Sequence, residues 1–206
     1  MTINTGPILV VEDISAVREL VEVQLKMRGY RVQTARDGQD ALRVMAAERP
    51  AVIVTDILMP RMDGFALAHI VRLEPQTAGV PIIFMSATYV TAEDEQFALT
   101  LGAYRFLPKP VDSDELFVAV ADALTGQQRR GAPMPEKDFY MGYRERLQNK
   151  LSQKAAQVAR SRQHMENLLP DQRDTYQRLV AEAQGQYDEI EHELTVLSSL
   201  LKELGS

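Results

Sequence analysis

Three acids, a hydroxyl and a lysine stand at or just beyond the ends of short apolar runs in this chain. Glu12 and Asp13 follow Ile8-Leu9-Val10-Val11, and Asp56 follows Ile53-Val54-Thr55. Ser86 closes Ile82-Ile83-Phe84-Met85, and Lys109 follows Phe106-Leu107-Pro108. A carboxylate at a strand end can act as a covalent nucleophile, so Asp56 is the candidate acceptor of a phosphoryl group. Asp13 would help Asp56 hold Mg²⁺, a cation bound by one or two carboxylates together with phosphate oxygens and waters, while Glu12 would reach a metal-bound water. Lys109 supplies a point charge for phosphoryl oxygens, and Ser86 offers them a hydroxyl.

For these residues to meet, the chain must bring five strand ends to one edge. Short apolar, β-branched runs at 7–11, 30–34, 51–55, 81–86 and 104–107 read as buried parallel strands. Helical spacing fills the intervals at 16–28, 39–48, 65–73, 92–101 and 114–124. Gly29 and Gly102 fall where a helix end favours positive φ, and Asp112 or Ser113 suits an N-cap. This alternation predicts a doubly wound α/β fold, a five-stranded parallel sheet with right-handed crossovers. Ligands of such sheets bind beyond the carboxyl ends of the strands.

The five segments in order, with Met62-Asp63-Gly64 after the third strand and Lys109-Pro110 after the fifth, resemble the receiver domain of two-component response regulators over residues 6–126. The resemblance implies a (βα)5 flavodoxin-like fold with strand order 2-1-3-4-5 and a cis Lys109–Pro110 bond. It implies phosphorylation of Asp56 by a histidine kinase or a histidine phosphotransferase, with Mg²⁺ as cofactor. It adds the backbone carbonyl of Leu58 to the metal ligands and makes Ser86 and Phe106 the switch pair, Phe standing where Tyr is frequent. Leu58 and Thr88 would flank the water that hydrolyses the aspartyl phosphate. Gly64 matches a turn before the third helix. Asp63 is read as an exposed loop acid without chemistry.

Composition narrows the alternatives. There is no cysteine, which excludes disulfides and Cys-ligated metal sites and fits a reducing compartment. The N-terminal residues show no signal-peptide pattern, and no run of about 18 apolar residues exists to span a bilayer, so a cytoplasmic protein without membrane contact is expected. Residues 1–126 hold 11 Lys+Arg against 17 Asp+Glu, and residues 127–206 hold 12 against 12. Neither part has the basic surplus of a nucleic-acid binder.

Beyond a Gly/Pro-bearing linker at 127–135, two long helices are predicted over 136–204, broken at Pro170. Tyr176, Val180, Ala183, Tyr187, Ile190, Leu194, Leu197, Leu201 and Leu204 alternate spacings of four and three, a heptad seam. The facing stripe is Tyr140, Tyr143, Leu147, Leu151, Ala155, Val158, Met165 and Leu169, with Arg162 as a polar interruption. Residues 136–166 hold seven Lys+Arg and four acids, whereas 171–206 hold three and eight, so an antiparallel hairpin would set a basic helix beside an acidic one. Dimerisation into a four-helix bundle would bury both seams, so a homodimer through the tail is expected. The preferred function is a phosphoacceptor signalling protein, not an enzyme on a separate substrate, with output through this tail. An interaction scaffold that uses the receiver for docking is the alternative. A phosphorelay intermediate also using His192 is the third reading; heptad phase puts His192 on the exposed back of its helix.

Overall fold

The computed structural model describes residues 6–86, 92–126, 134–166 and 170–204. Contacts divide the chain into two compact units, Met1–Met134 and Pro135–Ser206.

The first unit alternates β1 (Ile8–Val11), α1 (Ser15–Met27), β2 (Val32–Ala35), α2 (Gly38–Ala47), β3 (Val52–Asp56), α3 (Gly64–Leu73), β4 (Ile82–Ser86), α4 (Ala92–Thr100), β5 (Arg105–Pro108) and α5 (Ser113–Thr125). The strands form one parallel sheet in the order β2-β1-β3-β4-β5. Every residue of β1 and β3 is buried, which is why Ile8–Val11 and residues 52–54 are unbroken apolar runs, with the polar Thr55 and Asp56 buried at the carboxyl end of β3. Ile8, Val10, Val52, Val54, Ile83 and Met85 pack with Val21 and Leu25 of α1 and with Leu116, Ala119 and Val120 of α5. Each large aliphatic buried here stabilises the unit by about 1.5–3 kcal/mol. Gly29 and Gly102 have φ of 84° and 78°, the left-handed geometry that ends α1 and α4. Asp112 caps α5 by accepting from the Asp114 and Glu115 N–H groups.

One half-buried charge had no sequence signal. Arg72 on α3 donates to the carbonyls of Ala78 (3.2 Å), Val80 (2.8 Å) and Gly102 (2.8 Å), tying the connection before β4 to the turn before β5. Burial lowers its pKa to about 10, which leaves it charged at neutral pH.

The second unit is α6 (Glu136–Glu166) and α7 (Pro170–Leu204), packed against each other. The Tyr143 hydroxyl donates to Glu193 (2.6 Å), Lys154 to Gln186 (2.6 Å) and Arg162 to Gln184 (2.9 Å), and His164 lies against Tyr176. Partner numbers fall along α7 as they rise along α6, so the pair is antiparallel. Tyr143, Leu147, Val158, Val180, Ala183, Ile190 and Leu197 are buried within this single chain. The seams are therefore largely satisfied without a second copy, which removes the physical reason first given for a four-helix bundle. Phe139, absent from the predicted stripe, is buried and stacks on Tyr143, while Ala155 is exposed. The cations Lys154 and Arg162 meet glutamines across the interface, so the expected basic-to-acidic pairing is not what these two contacts use. Leu169 lies outside the described residues.

Candidate functional site

The parallel register sets the site. Val11 is level with Thr55, so Glu12 and Asp56 leave adjacent strands at the same height. Asp56 is level with Met85, and Ser86 with Pro108, the residue before Lys109. Lys109 Nζ lies 2.7 Å from Glu12 Oε2 and 2.7 Å from Asp56 Oδ2. One carboxylate oxygen from each of Glu12, Asp13 and Asp56 falls within 4.8 Å of the others. The Lys109–Pro110 peptide is cis, as the resemblance implies.

The backbone supports both acids. Asp56 Oδ1 accepts from the Ile57 N–H at 2.7 Å, and Glu12 Oε1 accepts from the Ile14 N–H at 3.4 Å. Arg18, one turn into α1, donates to the carbonyls of Glu12 (2.6 Å) and Asp13 (3.3 Å) and so fixes the loop that carries the acidic pair. The third helix begins close against the acceptor. The Gly64 N–H donates to the Ile57 carbonyl at 2.9 Å, and a Cβ on Gly64 would fall onto the Asp56 carbonyl oxygen. Gly64→Ala should therefore displace the acceptor loop and destabilise the first unit by about 1–3 kcal/mol. A urea-unfolding midpoint equal to that of the wild type would contradict this.

Burial and charge oppose each other here. Glu12 and Asp56 are 0% and 5% exposed, and desolvation raises the pKa of both carboxyls, with the Lys109 charge working against the rise. For Lys109, burial pulls the pKa down, but the charges and hydrogen bonds of Asp56 and Glu12 outweigh it and the net shift is upward. Three carboxylates and one ammonium leave two negative charges when all are ionised, the amount one divalent cation neutralises. The all-oxygen donor set suits a hard cation, and Asp13, exposed at the rim, leaves an open side for the waters Mg²⁺ retains. The residues present thus fit Mg²⁺.

Other expected residues are placed as follows. Leu58 lies in the loop after Asp56 with its side chain 41% exposed. Phe106 is half-buried on β5, level with Phe84. Ser86 ends β4 beside Asp56's strand, but its side chain lies outside the described atoms, and Thr88 lies outside the described residues. His192 is exposed on α7. Asp63 differs from expectation: it is 6% exposed and caps α3 by accepting from the Ala66 N–H at 2.9 Å. An Asp just before a helix has that preference, and this was the signal that could have found it.

A parallel five-stranded sheet with a lysine bridging two buried acids at its carboxyl edge defines a receiver module. The model of the response regulator receiver domain matches residues 8–121, and the chain belongs to that family. Among curated proteins, it is similar to the response regulator PleD of Caulobacter vibrioides, 39% identical over 113 residues that are 55% of this chain and 25% of PleD. It is also similar to the transcriptional regulatory protein GlrR of Escherichia coli, 35% identical over 125 residues, 60% of this chain and 27% of GlrR. The chain thus spans only about a quarter of the length of these two relatives. The chemotaxis response regulator CheY4 of Vibrio cholerae superposes with a TM-score of 0.54 at 33% identity, covering 58% of this chain and 98% of CheY4. Helices α6 and α7 lie outside the matched residues 8–121. Among the described residues, no helix is long and apolar enough to cross a membrane.

Proposed function

We propose that this protein is a phosphorylation-switched signalling protein whose Asp56 accepts a phosphoryl group from a histidine kinase or a histidine phosphotransferase. The observation that carries this reading is the Lys109 ammonium seated between the buried carboxylates of Glu12 and Asp56. A carboxylate oxygen of Asp56 attacks the phosphorus of the donor phosphohistidine. The P–N bond breaks, and the imidazole leaves with the electron pair and takes a proton. Lys109 moves its hydrogen bonding from carboxylate to phosphoryl oxygen, and Ser86 gives that oxygen a hydroxyl. Phe106 fills the space Ser86 vacates. Glu12, Asp13, Asp56 and the Leu58 carbonyl would hold Mg²⁺, which would supply positive charge at the phosphoryl oxygens.

The protein acts as phosphoacceptor and not as an enzyme on a separate substrate, and its output runs through α6 and α7, not through nucleic acid. The second unit supports this, since it holds 10 Lys+Arg against 12 Asp+Glu and has no basic surplus. A homodimer through the hairpin rests on an observation distinct from the buried seam. Val196, Leu200 and Leu204, four residues apart along α7, are 48%, 38% and 42% exposed. They line a flank of the helix beside the face that α6 covers. Light scattering with acetyl phosphate and Mg²⁺, and without them, tests the reading. A dimer in both states is expected; a monomer at tens of micromolar would overturn the dimer.

A further inference from the structure

Loop 57–63 joins Asp56 to α3 and carries the Leu58 carbonyl, and it is tied to the start of α2. The Gly38 N–H donates to the Met62 carbonyl at 2.9 Å. Arg61 Nε donates to Asp37 Oδ2 at 2.6 Å, and the terminal guanidinium nitrogen of Arg61 pairs with the same oxygen. Asp37 is 1% exposed, and its other oxygen caps α2 by accepting from the Asp40 N–H at 2.8 Å. One carboxylate thus holds a helix start and the acceptor loop together.

Arg61 is the one non-glycine residue with positive φ among the described residues, at 65°. A long L side chain rarely adopts this region, and such geometry persists only where the surroundings over-determine it. The Met62 N–H donates to the Pro60 carbonyl at 2.8 Å and closes a tight turn centred on Arg61, and the two guanidinium contacts to Asp37 Oδ2 anchor that turn to the start of α2. Burial pushes the Asp37 carboxyl up, but the Asp40 N–H and the Arg61 guanidinium outweigh it, so the net shift is downward and the ion pair persists at neutral pH. Without the pair the turn keeps its own hydrogen bond but loses its side-chain anchor on α2, and loop 57–63 is freer to shift.

We propose that Asp37 and Arg61 form a latch that holds loop 57–63 in the shape that presents the Leu58 carbonyl to the Mg²⁺ site. They are positioning residues, outside the reacting groups, and the inference rests on the proposed metal-site reading. Partners that orient metal ligands typically change affinity by about 10–100-fold when removed.

The test is a Mg²⁺ titration of the full-length protein followed by ¹⁵N NMR at the Ile57 and Leu58 amides. Asp37→Asn keeps an N-capping oxygen but loses the charge, and Arg61→Gly keeps the left-handed backbone but loses the side chain. Each is expected to raise the Mg²⁺ concentration at half-saturation about tenfold, and the double variant by no more than either alone. Arg61→Lys, which keeps a cation in reach of Asp37, is expected to stay within about threefold of the wild type. Single variants that unfold at the wild-type temperature yet bind Mg²⁺ as tightly as wild type would overturn the latch, as would effects that multiply in the double variant. If Asp37→Asn fails to fold, the comparison of Arg61→Gly with Arg61→Lys decides. A wild type with no Mg²⁺ response would overturn the metal reading and the latch with it; a responsive wild type whose variants bind Mg²⁺ with unchanged affinity overturns the latch alone.

Discussion

An Asp56→Asn protein is expected to take up no acid-labile phosphate from acetyl phosphate and Mg²⁺ under conditions that fully label the wild type. The amide oxygen is a poor nucleophile, and an acyl phosphate cannot form on it. The substitution is nearly isosteric, and it removes a buried charge whose pKa desolvation has already raised. Lys109 keeps Glu12 as a partner at 2.7 Å. The sheet should therefore persist, so lost labelling reports the nucleophile and not the fold. Asp13→Asn is the companion. Asp13 is exposed, so its loss should leave stability within about 0.5 kcal/mol and raise the Mg²⁺ requirement for labelling about tenfold. Wild-type phosphate uptake by the Asp56→Asn protein would remove the assignment of the acceptor.

Replacing Leu197 by Asp should unfold the helical hairpin while the first unit keeps its sheet and its Mg²⁺ response. Leu197 is 4% exposed, beside Ile190 at 5%. A carboxylate there loses its hydration with no partner provided, a cost of several kcal/mol. Two helices share one interface, and long polar helices draw most of their stability from such packing. Both α6 and α7, 31 and 35 residues long, should lose helicity together, read as a fall in ellipticity at 222 nm. Leu200→Asp is the contrast, since Leu200 is already 38% exposed. It should keep the hairpin and break the proposed dimer in light scattering. Wild-type ellipticity and melting in Leu197→Asp would show that the seam does not hold the unit together.

What the sequence determined by itself was everything that local pattern encodes. Strands buried on both faces are apolar along most of their length, so Ile8–Val11 and residues 52–54 of β3 announce themselves as runs. Helix ends need left-handed or capping residues, so Gly29, Gly102 and Asp112 were readable. The acids and the lysine stand just past those runs, where an open parallel sheet collects its ligands. The heptads of α7 likewise implied a helical partner, because a 4-3 spacing has no use on a solvated helix.

Only the tertiary structure decided which groups touch. That Lys109 meets Glu12 and Asp56 depends on a register spanning 97 residues of chain, which no local pattern carries. Asp63 is buried because α3 starts against the Asp56 carbonyl, an approach that needs the glycine beside it. Arg18, Arg61 and Arg72 reach carbonyls and a carboxylate in other segments, and a long flexible side chain leaves no period by which to find its partner. The α7 seam is a similar case. Heptad spacing requires a facing helix but does not say whose, and here a chain reversal lets α6 of the same molecule supply it.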